Sequence, residues 1–240
     1  MGCNSSRSAT EAVTKPTPPV SKEPAPSTPN QIRVLCLHGF RTSTSVMKVQ
    51  VADFLHAFDP SEVHVTFLNA PYPASGPAYD DVGEFFGKDG PYYEWWNVDD
   101  SKYGGWKKSL EYLQEQVQAR GPFDVIVGFS QGATMATLLA AYYQAQGVIP
   151  FKAVVLVCGL VPIDGMPSDV FEINMPSIHV LGESDPVFDL GQALVDVYAS
   201  TPSRHVFKHP DGHKFPAATH SKGIFDQVAT ILRTLCPKPE

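Results

Sequence analysis

Gly128-Phe129-Ser130-Gln131-Gly132 carries the chemistry that the rest of the chain must serve. A serine between two glycines, after the apolar run Asp124-Val125-Ile126-Val127 and before a helical pattern, matches G-x-S-x-G in the strand–turn–helix setting that makes the hydroxyl a nucleophile. The glycines let strand and helix approach without Cβ clashes, and the N–H after the serine can stabilise an oxyanion. Alone, the five residues could be an ordinary tight turn.

A serine nucleophile needs a base and an acid, in the chain order Ser, Asp/Glu, His, each on a loop after a later strand. Ser177–Leu181 reads as a strand running into Gly182-Glu183-Ser184-Asp185-Pro186, so Asp185 falls where the acid is required. Glu183 is its rival, and Asp189 belongs to the following helix. The strand Arg204–Lys208 leads into His209-Pro210-Asp211-Gly212-His213, and His213 is the expected base. His209, at the strand end beside Pro210, is the rival with a packing role. Leu37-His38-Gly39-Phe40 ends the first strand, where a second oxyanion-binding N–H is expected from Phe40, paired with that of Gln131. There His38 would orient the loop and not titrate. The four cysteines show neither C-x-x-C nor zinc-finger spacing, so no metal and no disulfide framework is expected.

These loops must hang on a scaffold. The spacing predicts strands over 32–37, 63–68, 123–127, 152–157, 177–181 and 204–208, with helices over 46–58, 106–120, 131–146, 190–199 and 217–235. Near-continuous apolar strands alternating with helices imply a mostly parallel sheet covered on both faces, a three-layer α/β fold. Residues 69–103 interrupt the rhythm as a long aromatic-rich insertion, and from it Tyr92, Trp95 and Trp96 are expected to wall an acyl-binding pocket. Residues 159–175 form a second irregular stretch.

Residues 1–30 differ in kind, with six prolines and nine serines or threonines and no aromatic side chain, which reads as a flexible tail ahead of a domain spanning 31–240. The tail lacks the apolar core of a secretory signal, but Met1-Gly2-Cys3-Asn4-Ser5-Ser6 fits the N-myristoylation pattern. Gly2 would carry myristate and Cys3 palmitate, since one acyl chain anchors only marginally. The cysteine usage suits a reducing, cytoplasmic compartment, with the chain held to the cytosolic face of a membrane if Gly2 is acylated. No apolar run reaches membrane-spanning length. A formal charge of −7 argues against a nucleic-acid partner.

The segments Val34–Gly39, Asn69-Ala70-Pro71, Tyr93-Glu94-Trp95-Trp96, Gly128–Ala133 and Gly212-His213 together resemble the FSH-type serine hydrolases, which include the ovarian-cancer-associated serine hydrolase. The serine motif alone is shared with acyl-protein thioesterases and related carboxylesterases; the Glu-Trp-Trp segment narrows the resemblance. It implies an α/β-hydrolase fold and a cofactor-free serine esterase or thioesterase that acts on small-molecule or acyl substrates through an acyl-enzyme. A non-catalytic binding module on the same fold is the competing class. A peptidase lacks any added docking domain here, and a haloalkane dehalogenase would place Asp at position 130.

Overall fold

The computed structural model describes residues 30–97, 104–201 and 203–237. The acylation motif at Gly2 and Cys3 lies outside the described residues. Six strands, β1 (Ile32–Leu37), β2 (Val63–Leu68), β5 (Val125–Phe129), β6 (Ala153–Val157), β7 (Ser177–Gly182) and β8 (Arg204–His209), form one sheet in the order β2-β1-β5-β6-β7-β8. Every neighbouring pair is parallel.

Alternation along each strand sorts side chains to two cores. Leu35, Leu37, Ile126, Val154 and Leu156 face α4 (Trp106–Arg120) and α5 (Gln131–Ala145). Val34, Cys36, Val125, Val127 and Val155 face the layer containing α1 (Thr44–Gln50), α2 (Ala52–His56) and α7 (Ala218–Leu235). Strands buried on both faces have no polar side to show, which is why they read as unbroken apolar runs. Helix α6 (Phe188–Val197) follows β7 and packs Leu194 into the first core.

Three departures from the sequence reading have local causes. The helix expected over 46–58 is two helices, because Val51, with ψ of 2°, interrupts α1 and α2 while the apolar period runs on through it. The central strand sits two residues later than expected. Gly128 and Phe129 pair with Leu156 and Val157, so the turn begins only at Ser130. The insertion is not wholly irregular. It holds a two-stranded antiparallel ribbon, β3 (Tyr72–Pro73) with β4 (Tyr93–Glu94), and a short helix α3 (Asp80–Phe86). Two-residue strands are too short to leave a period in a sequence.

The chain moves from β1 outward to β2 and then crosses back to β5, so the strand order reverses between β1 and β5. The carboxyl ends of strands flanking such a reversal open a crevice where ligands sit in open α/β sheets. Ser130 follows β5, and His38-Gly39-Phe40 follows β1.

Candidate active site

Ser130 occupies a left-handed backbone conformation, φ 50° and ψ −117°, strained for a residue with a Cβ. Its surroundings over-determine that geometry. The Ser130 N–H donates to the Val157 carbonyl at 3.0 Å, and its own carbonyl accepts the Ala133 and Thr134 N–H groups of α5. A Cβ at Gly128 would stand 2.5 Å from Ala133 Cα, and one at Gly132 would stand 2.3 Å from the Leu37 carbonyl oxygen. Both glycines are therefore required for helix α5 to approach the ends of β5 and β1 this closely.

The three residues expected from different loops meet. The Ser130 hydroxyl lies 2.8 Å from His213 Nε2, and His213 Nδ1 lies 2.7 Å from Asp185 Oδ2. A carboxylate against Nδ1 makes that nitrogen the protonated one, so Nε2 is left to accept from the serine. Asp185 is buried, and its second oxygen accepts the Val187 N–H at 2.9 Å. The acid and base loops are also laced together: Glu183 N–H donates to the His209 carbonyl, and Ser184 N–H to that of Asp211. The Asp211 carboxylate in turn accepts the Ala217 N–H at 2.9 Å at the start of α7, closing the His213 loop on itself. Neither rival's side chain joins the Ser130–His213–Asp185 bonds. His209 is buried with Nδ1 against Asp211 at 3.3 Å, and Glu183 is exposed.

His38 is fully buried. Its Nδ1 donates to the Gly39 carbonyl at 2.7 Å, and Nε2 accepts the Ala70 N–H at 3.0 Å. Burial pushes its pKa down to about 4, so it is a neutral strut for the loop that presents Phe40. His179, likewise buried, is pushed down to about 3 by burial, with Arg204 adding to the effect.

A cleft of about 720 Å³ opens above Ser130 and His213. Phe40, Tyr79, Trp96, Leu160, Pro186 and Val187 supply its apolar wall, and Asp80 and Asp81 stand at its edge. Of Tyr92, Trp95 and Trp96, only Trp96 lines it. Trp95 is wholly buried beneath, its indole N–H donating to the His38 carbonyl at 2.8 Å, because an indole is large enough to fill the gap between insertion and sheet. Tyr92 turns away and its hydroxyl donates to the Gly87 carbonyl. Tyr79, from the same aromatic insertion, lines it as well, whereas Leu160 and Val187 could not be singled out from sequence, since only the fold brings their loops together.

Cys158, Asp185 and His213 place possible ligand atoms within 4.8 Å of one another. Asp185 and His213 already bond each other, and burial, with Asp185 nearby, pushes the Cys158 thiol up to about 12, so the trio is poorly suited to hold a cation.

The fold, the matching family and the esterase relatives make this a carboxylesterase-type hydrolase of the α/β-hydrolase class. The sequence profile of the family described as "Serine hydrolase (FSH1)" matches residues 27–224, and the chain belongs to that family. Among relatives, it is 31% identical over 207 residues to Esterase FUS5 of Gibberella moniliformis, covering 83% of this chain and 85% of that one. It is 28% identical over 215 residues to Esterase OVCA2 of Homo sapiens, covering 81% and 93%. Among solved structures, esterase PE8 superposes with a TM-score of 0.58 at 18% identity, covering 87% of this chain and 96% of that one, a likeness of fold.

Proposed function

We propose that this hydrolase cleaves carboxylic esters through Ser130, His213 and Asp185 by way of an acyl-enzyme. The observation that carries the reading is the pair of short contacts, 2.8 and 2.7 Å, linking three residues from three separate loops. His213 Nε2 takes the hydroxyl proton as Ser130 Oγ attacks the carbonyl carbon, and Asp185 holds the imidazole in the required tautomer and stabilises its charge. The backbone N–H groups of Phe40 and Gln131, at the ends of adjacent strands, are the donors for the resulting oxyanion. His213 then returns the proton to the departing alcohol. Water, activated by the same nitrogen, releases the acid.

The cleft supports an apolar acyl group of short to medium length, seated against Trp96 and Leu160. Thioesters of neutral leaving groups are chemically equivalent substrates. Acyl-CoA is disfavoured, because Asp80 and Asp81 stand at the cleft edge and no lysine or arginine lines it among the described residues. No helix of the described residues is long and apolar enough to cross a membrane. The Gly2-Cys3 pattern supports attachment of the N-terminus to a membrane surface by acylation, which would hold the cleft near lipid-derived esters.

A panel of p-nitrophenyl esters and acyl-CoAs graded by chain length, with Ser130→Ala as control, tests the reading. Hydrolysis of the esters above acetyl, with acyl-CoAs poor and Ser130→Ala inactive, is expected. Acyl-CoA turnover exceeding that of every ester would overturn the leaving-group assignment.

A further inference from the structure

The Glu-Trp-Trp segment touches both halves of the catalytic scaffold and contributes only one of its residues to the cleft wall. Its bonds reach Gln131 on one side and the neighbours of Phe40 on the other, the two residues proposed above as oxyanion donors. On one side, the Gln131 side chain is clamped by main chain: its Oε1 accepts the Trp95 N–H at 2.9 Å, and its Nε2 donates to the Trp96 carbonyl at 2.9 Å. On the other side, the Trp95 indole holds the His38 carbonyl, and the Tyr93 N–H donates to the Thr42 carbonyl at 2.7 Å. Phe40 lies between these two anchors.

Glu94 completes the arrangement. It is buried, and its Oε2 accepts from Arg41 Nε at 3.4 Å and from the Ser75 N–H and hydroxyl at 3.2 Å. Arg41, adjacent to Phe40, has a φ of 50°, a conformation that a side-chain-bearing residue keeps only when held. A buried carboxylate without its partners is costly, so Glu94 and Arg41 fix each other and with them the turn at Phe40.

We propose that residues 93–96 are a brace that sets the distance between the Phe40 and Gln131 N–H groups, with the Gln131 side chain and Glu94 as positioning residues for the oxyanion. The inference rests on the serine mechanism proposed above. It assigns the Gln131 side chain a task separate from that of its own backbone N–H. The brace acts on the tetrahedral state more than on the bound ester, since donors are aimed where charge develops.

Gln131→Met keeps length and backbone donor while removing both clamps. Glu94→Gln keeps shape and removes the charge that faces Arg41. Each purified variant is compared with the parent in ester hydrolysis and in inhibition by a trifluoromethyl ketone of matching chain. In that inhibition Ser130 Oγ bonds to the carbonyl carbon, the proton passes to His213, and the carbonyl oxygen becomes the oxyanion. A fall in kcat of about tenfold to a hundredfold, short of the roughly 10²–10³ for deleting a donor outright, is expected with KM little changed. Ketone affinity should fall by the same factor as kcat. Parent-like kcat in folded Glu94→Gln overturns the brace, and so does a loss of kcat with ketone affinity intact, in either variant. If Gln131→Met does not fold, Glu94→Gln alone decides. Ser130→Ala separates the two levels: full activity there removes the serine mechanism, whereas an inactive Ser130→Ala beside unaffected brace variants removes only the brace.

Discussion

Gly182→Ala is a one-atom perturbation whose consequence can be worked out from the contact between the acid and base loops. A Cβ at position 182 would lie 2.3 Å from the Gly212 carbonyl oxygen and 2.6 Å from that of Asp211. Ordinary contact begins near 3.4 Å, so the loop that carries His213 must retreat by about 1 Å. The bond from Ser130 Oγ to His213 Nε2 is 2.8 Å, and a retreat of that size carries it beyond hydrogen-bond range. Misplacement of a catalytic group by about 1 Å lowers turnover by roughly a hundredfold. The same overpacking costs about 1–3 kcal/mol, which in a chain of this size lowers Tm by roughly 2–12 °C. The assay is kcat for a p-nitrophenyl ester alongside a thermal melt. Gly223→Ala serves as control: the site lies in α7 with open space around its Cβ position, so activity should hold and stability rise by up to about 1 kcal/mol. A Gly182→Ala enzyme with kcat within twofold of the parent would refute the claim that the two loops are packed to fix His213.

Asp185→Asn should remove most activity while Glu183→Gln leaves it close to parent, measured as kcat/KM; the reverse ranking would reassign the acid. Trp96→Ala should flatten the dependence of kcat/KM on acyl chain length, at about 0.8 kcal/mol per methylene no longer buried. Trp95→Ala should act on stability, by about 3–5 kcal/mol in chemical denaturation, because this side chain fills the core and not the cleft. His38, depressed to about 4 in the folded chain, takes up its proton near 6.5 once unfolded, so the unfolded state binds more protons between those values. Stability must then fall as pH drops from about 6.5 toward 4, by on the order of 3 kcal/mol from this residue. Urea unfolding of the parent and of His38→Gln at pH 7 and pH 5 should show the variant with the shallower loss.

The strands, the order of the chemistry-bearing loops and the partners of Ser130 were legible because each left a local mark. An apolar run of five or six residues, a glycine pair around a serine, and a histidine in a Gly-containing loop are all short-range signals. The cleft wall was legible only in part. Trp95 and Trp96 are neighbours of identical type, and only their packing sends one into the core and the other to the cleft. The Glu94–Arg41 pair spans 53 residues, and the clamp of Gln131 on Trp95 spans 36, so no periodicity connects them. One signal was available. A lone carboxylate inside the aromatic run Tyr92–Trp96 would be costly to bury unpaired, and Glu94 could have been expected to seek a cation.

Everything proposed for this site depends on Ser130 being the nucleophile, activated by His213 and Asp185. Labelling the intact chain with a fluorophosphonate and mapping the adduct by mass spectrometry tests it most directly. A single adduct on Ser130 is expected, absent in Ser130→Ala and formed far more slowly in His213→Ala. An ester-hydrolysing preparation that takes up no label, or takes it up on another residue, would contradict it.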